Sequence, residues 1–385
     1  MKKKLIRITT VPLSLSGLLQ GQLKFMSNYF DIIAVSSRGE DNALNMVSEY
    51  ESVPTLPIEM TRKITPFKDL YAVWQLYKLF KKEKPFIVHS HTPKAGTLSM
   101  LAAKLARVPH RLHTIAGLPL VEAKGAKRHL LNFVEKITYK CATKIYPNSF
   151  GLVDIILENN FTNKGKLKVI ANGSSNGIDT SYFDPKLFTD HDKLLKMKST
   201  FGLQNDDFVF VYVGRLVSDK GINELLLAFN KINNENNKVK LLLVGTYENE
   251  LDPLLPQSME IIKNNKNIVS VGWVDDVRPY FMISNVLVFP SYREGFPNVV
   301  MQSGAMELPS IVTNINGCNE IIDDKKHGII IPTKSHEAIY KAMDYVLNNK
   351  KEAIEMGMQS RANIVLKFER RRVWEALLAE YNDLD

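Results

Sequence analysis

Cysteine is nearly absent from this chain. Cys141 and Cys318 are the two among 385 residues. They stand far apart, with no CxxC or Cys/His spacing, which excludes a disulfide framework and a structural zinc site and points to a reducing cytosol. Also missing is any run near the roughly 20 consecutive apolar residues that a membrane span requires, so membrane contact is expected to be peripheral. No helix-turn-helix, zinc-finger or aromatic RNP-like pattern occurs, which sets nucleic acid aside as a partner. The acid clusters Asp190-His191-Asp192 and Asp383-Leu384-Asp385 do not fall at predicted strand ends, and no metal is expected. No internal repeat or low-complexity tract is present.

What is there is ample apolar material. At 385 residues and 45% hydrophobic content the chain can build two α/β domains, each with its own core. The basic opening MKKKLIRITT reads as running into a first strand rather than as a secretion signal, because Arg7 interrupts the apolar stretch. Charge is unevenly spread: residues 1–185 carry 26 Lys and Arg against 14 Asp and Glu, net +12, while residues 186–385 carry 24 against 27, net −3. A basic first half attracts polyanions such as anionic lipid head groups or a diphosphate.

Short β-rich runs alternate with amphipathic helical stretches, the pattern of βα units on parallel sheets, and the pattern occurs twice. The predicted strands are 5–9, 32–35, 87–89, 111–114, 144–147 and 168–171, then 208–213, 241–244, 268–272, 286–290, 311–313 and 329–331. Between the series, ANGSSNGIDTSYFDPKLFTDHDK reads as a connection. The expected division is 1–185 for an N-terminal domain, 186–365 for a C-terminal domain and 366–385 for a terminal helix packing back toward the first. That helix places Trp374, Leu377, Leu378 and Tyr381 at i, i+3, i+4 and i+7. Open α/β sheets bind ligands at the carboxyl ends of their strands, so functional residues are sought there.

Two stretches meet that requirement. VYVGRLVSDKGINELLLAF runs from a strand through Gly214 into a helix, with Arg215 and Lys220 flanking the turn. Two cations there suit a diphosphate, and by themselves read equally well as solvated surface charges. PSYREGFPNVVMQSGAMELPSIVT places Glu294 in a strand-end loop and starts a helix at Asn298, whose free N–H groups favour phosphate.

Taken in this order, and with VHSHTPKAGTLSMLAAKLARVPHRLHTIAGLPL and VIANGSSNGIDTSYF in the first half, the motifs resemble the retaining nucleotide-sugar glycosyltransferases of family 4. The resemblance implies the GT-B fold, two Rossmann-like domains facing across a cleft. It implies that Arg215 and Lys220 bind the donor diphosphate and that Glu294 contacts the donor sugar. Phe296, Pro297, Asn298 and Val299 would approach sugar and phosphate, with Gly214 and Trp273 also on the donor side. Gln302 stands where the family has a second Glu on the ribose hydroxyls, and this chain departs from the pattern there. The loss of a charge-assisted bond is worth about 1–2 kcal/mol, which weakens ribose binding without removing the chemistry. Gln302 is also i+4 from Asn298 and could bond locally.

In the first half, the resemblance assigns His113 to the donor-sugar pocket, Gly17 to a loop near the donor phosphates, and His91 and Lys94 to an acceptor-side loop. The stretch from Gly125 to Lys144 carries Lys127, Arg128, Lys136 and Lys140 among apolar residues. It reads either as a core-packed helix with a basic face or as a helix on an anionic membrane. The expected function is retaining, metal-independent transfer of a hexose or N-acetylhexosamine from a UDP-sugar to a lipid-linked glycan of a bacterial surface polysaccharide. The expected place is the inner face of the cytoplasmic membrane, with no cofactor beyond the nucleotide sugar. The alternatives are a nucleotide-sugar epimerase on the same fold and a non-catalytic assembly scaffold.

Overall fold

The computed structural model describes residues 2–61, 65–118, 120, 123–248, 250 and 252–384. The chain divides into two compact units, Met1–Gly177 with Arg370–Asp385, and Ile178–Glu369. The crossings thus fall at 177/178 and 369/370, rather than at 185/186 and 365/366.

The first unit holds a parallel sheet of β1 (Lys4–Ile8), β2 (Asp31–Ser36), β3 (Thr55–Pro57), β4 (Ile87–His91), β5 (His110–Ile115) and β6 (Lys144–Pro147), ordered β3-β2-β1-β4-β5-β6. Leu5 lies opposite Ile32 on one side and Ile87 on the other. Because side chains alternate along a strand, Ile6 and Ile8 enter one core layer with Leu76 and Phe80, while Leu5 enters the opposite layer with Leu15, Val47 and Trp374. Helices therefore cover both faces. The three residues of β3, ending in proline, are too few to show a period and were not anticipated. The strand expected at 168–171 is absent: Leu167 makes a single bridge to Ile145, and Ala171 turns with φ of 50°.

The second unit repeats the plan with β7 (Phe208–Val213), β8 (Val239–Val244), β9 (Ile268–Gly272), β10 (Val286–Phe289), β11 (Ser310–Thr313) and β12 (Gly328–Ile331), ordered β12-β11-β10-β7-β8-β9. Phe210, Leu226, Phe229, Val288 and Val300 belong to its continuous core. In each sheet the strand order reverses once, between β1 and β4 and between β7 and β10, which opens a crevice at the carboxyl edge.

The helix Arg370–Asn382 packs on the first unit. Trp374 donates its indole N–H to Asn176 Oδ1 at 2.6 Å and lies 5.4 Å from the Phe25 ring. Glu380 is buried and accepts from Lys144 Nζ at 2.8 Å, from Tyr146 at 3.2 Å and from Lys168. Gly21, with φ of 76°, lies under the indole; a Cβ there would meet the Trp374 ring at 2.9 Å. Its neighbour Gly17 sits in the short helix Pro12–Leu18 with open space around it, not in a loop.

Candidate active site

In the second unit the expected residues gather at the β7/β10 reversal. Gly214 follows β7 and donates its N–H to Val244 O at 2.9 Å, and Tyr212 donates its hydroxyl to Arg215 O at 2.8 Å, so the turn is held from both sides. Gly221, with φ of 71°, starts the helix Ile222–Glu235; a Cβ there would lie 2.2 Å from Pro290 O. No other residue lets that helix begin so close to the end of β10.

The two strand-end loops are tied together. Tyr292 N donates to Asp219 O at 2.9 Å and Arg293 pairs with Asp219 at 2.6 Å. Lys220 donates to Glu294, and their side chains are 15% and 17% exposed, so the pair is mostly withdrawn from water while open on one side. Arg215, half exposed, pairs with Glu248, four residues beyond β8. Burial works against the Arg215 charge, but Glu248 outweighs it and holds the guanidinium more firmly protonated than usual.

The segment after Glu294 is fixed by its backbone. Asn316 donates its side-chain amide to Glu294 O and, at 3.4 Å, to Gly295 O. Phe296 is buried 5.4 Å from the Phe368 ring, and Pro297 leads into the helix Asn298–Ala305. Val299 and Gln302 are half-buried on that helix. The Gln302 amide makes no hydrogen bond among the described residues, to Asn298 or to any other, and so is available to a ligand. Trp273 follows β9 and is 70% exposed. Cys318 is buried, which pushes its thiol well up and leaves it without a nucleophilic role.

The first unit places its candidates differently from expectation. His113 lies inside β5, which runs two residues further, to Ile115; it is buried, 3.0 Å from the Ser90 hydroxyl. A Cβ on Gly96 would strike its ring, and burial pushes its pKa down to about 4, so the imidazole is neutral. His91 belongs to β4 rather than to a loop. It is buried and contacts Arg7 through Nε2 at 2.8 Å, while Lys94 is tied to Asp69 at 2.5 Å. Arg7, the residue that interrupts the first apolar run, is itself fully buried; it donates to Gln22 at 2.6 Å and to Tyr381 at 3.1 Å. His89 contacts Tyr381 at 2.5 Å and Thr114 at 2.8 Å.

Asp219, Glu248 and Asn316 escaped sequence reasoning. Asp219 lies within the quoted motif between Arg215 and Lys220, and Glu248 and Asn316 each follow a strand end, which was the available signal. Among the described residues no group of three or more His, Cys, Asp or Glu could hold a metal ion, and Asp190 caps the helix His191–Thr200 by accepting from Lys193 N at 3.0 Å.

Comparison with known proteins bears directly on these elements. Residues 196–363 match the family described as glycosyl transferases group 1, and residues 16–149 match glycosyl transferase 4-like. The capsular polysaccharide biosynthesis glycosyltransferase CapM of Staphylococcus aureus is 35% identical over 381 residues, covering 99% of this chain and 97% of that one. This chain belongs to the family 4 glycosyltransferases. The glycosyltransferase is also 32% identical, over 77% of its own length and 74% of the relative's, to the Escherichia coli UDP-Gal:alpha-D-GlcNAc-diphosphoundecaprenol alpha-1,3-galactosyltransferase. Its fold is that of Anabaena HepE, solved with UDP and glucose, at a TM-score of 0.82 and 14% identity over 99% of this chain and 100% of that one. The α/β, GT-B fold class expected from the sequence is therefore the fold the glycosyltransferase has.

Proposed function

We propose that this glycosyltransferase moves a hexose or N-acetylhexosamine from a UDP-sugar to a polyprenyl-diphosphate-linked glycan of a bacterial surface polysaccharide. Anomeric configuration is retained, no metal takes part, and the work is done at the inner face of the cytoplasmic membrane. The observation that carries this reading is the meeting of Arg215, Lys220 and Glu294 at the β7/β10 reversal. The names of the capsular and undecaprenol-diphosphate relatives support the choice of acceptor.

In the reaction, the bond between the anomeric carbon and the diphosphate oxygen breaks, and negative charge grows on the leaving nucleotide. Arg215 and Lys220 are placed to stabilise that charge, as a planar fork and a point charge. The acceptor hydroxyl oxygen bonds to the anomeric carbon on the same face, and the leaving phosphate oxygen takes its proton. Glu294 holds the donor sugar and keeps Lys220 aimed in the meantime. Gln302 offers its amide to the ribose, and Trp273 offers an exposed ring to the base. In the first unit, His91 and Lys94 act by anchoring the ends of β4 and the following helix, and neutral His113 by joining β5 to β4 through Ser90.

A panel of nucleotide sugars tests the reading by thermal protection and slow donor hydrolysis. A UDP-sugar should raise the melting temperature by about 4 °C or more near a hundredfold excess over Kd. Purine nucleotide sugars should not. Conversion of the donor to an epimer without acceptor would replace transfer by epimerisation.

A further inference from the structure

The helix Pro66–Glu83 buries Ala72, Val73, Leu76 and Phe80 against the first sheet and leaves the opposite side bare. On that side Phe67 is 90% exposed, and Leu70, Tyr71 and Trp74 follow it at i+3, i+4 and i+7. Four large apolar side chains on one helical face are not what a solvated surface needs. The face continues in a second chemistry. Lys78, Lys81 and Lys82, at i+11, i+14 and i+15, are exposed on the same stripe, and Lys78 Nζ sits 3.6 Å over the Trp74 ring. The acids of this helix are turned away: Asp69 pairs with Lys94 at 2.5 Å and Glu83 with Lys4 at 2.6 Å.

A neighbouring helix repeats the arrangement. Gly125–Cys141 and Pro66–Glu83 both pack against Pro93–Leu105 on one face of the sheet. Since each leads from the carboxyl edge back to the amino edge, their first turns lie at the same edge. Leu130 and Phe133, the latter 61% exposed, stand on one face with Lys136 and Lys140. Arg128, which the sequence grouped with these lysines, instead points inward to Asn132 at 3.0 Å and Asn159 at 2.9 Å.

We infer that this double-helix face is where the enzyme lies on an anionic lipid surface, with Phe67, Leu70, Tyr71 and Trp74 entering the acyl boundary and the lysines meeting the head groups. Aromatic rings with an adjoining lysine row and no unpaired acid match the two layers of such a surface, apolar beneath and negative above. The inference deepens the polyprenyl-linked acceptor reading and rests on it for the lipid nature of the partner. It also relocates the contact, since the leading helix is Pro66–Glu83 and Gly125–Cys141 is secondary.

Sedimentation of the full chain with vesicles of equal phosphatidylglycerol and phosphatidylcholine, without donor or acceptor, tests docking alone. Binding should be strong on these vesicles, at least about tenfold weaker on pure phosphatidylcholine, and weakened by salt. Phe67→Ser with Trp74→Ser should lower it at least about tenfold, and Lys78→Glu with Lys81→Glu and Lys82→Glu should abolish the preference for phosphatidylglycerol. Donor hydrolysis in solution should be unchanged in both variants, which separates failed docking from a failed transferase reading. Vesicle binding that survives both variants overturns the inference. So does a dimer, seen by analytical ultracentrifugation, that Trp74→Ser disperses while vesicles do not bind, because the face would then belong to a second copy of this chain.

Discussion

Lys220 and Glu294 hold each other, so each side chain is already ordered for the proposed donor. Charge stabilisation of this kind is strong because it is fixed in advance. Lys220→Ala should therefore lower kcat by about a hundredfold or more, while the melting temperature falls by only a few degrees as Glu294 relaxes toward water. Near-normal turnover in a folded variant would remove Lys220 from the diphosphate. Gln302 presents the opposite case, since its amide has no partner to lose among the described residues. Gln302→Glu should keep UDP binding or tighten it by up to about tenfold, measured by calorimetry, through a charge-assisted bond to ribose. Clear weakening would show that Gln302 does not face the ribose.

At the scale of elements, the site depends on how closely the helix Ile222–Glu235 approaches the end of β10. Gly221→Ala adds a Cβ where Pro290 O lies 2.2 Å away and imposes a left-handed backbone on alanine. The expected cost is about 1–3 kcal/mol, read as a lowered melting temperature, together with loss of donor binding as Lys220 and Glu294 separate. A variant with wild-type stability and UDP affinity would mean that the two loops are held by Asp219 alone. The same local chemistry explains what could be read from sequence. Val-, Leu- and Phe-rich runs buried on both faces announce β7, β8 and β10, and the Gly-flanked turn announces Arg215 and Lys220, because each signal lies within a few residues. Glu248 and Asn316 were not legible, since their partners come from other strand-end loops. Nor was the burial of His91: Arg7, Gln22 and Tyr381, which build its surroundings, lie up to 374 residues apart and meet only in the folded unit.

For the molecule as a whole, the first unit carries a pH dependence set by a cluster of buried histidines. Burial holds His89 and His91 far below their usual 6.5, with further opposition from the Arg7 charge, and holds His113 at about 4. A histidine with a depressed folded pKa contributes stability that is complete above 6.5 and is lost as pH falls toward the folded value. Glu135 acts in the opposite sense: burial raises it from 4.5 to about 7, so its contribution is complete below 4.5 and is lost as pH rises through about 7. Between 4.5 and 6.5 three depressed histidines oppose two carboxyls that burial raises, Glu135 and Glu51, and the histidines should prevail. Calorimetry should show the first unit's transition moving down by several degrees from about pH 7.5 to pH 5. In Glu135→Gln the same fall should be steeper, because one opposing carboxyl is gone. A transition that stays level or rises on acidification would mean that at least one of the three histidines is charged in the folded protein.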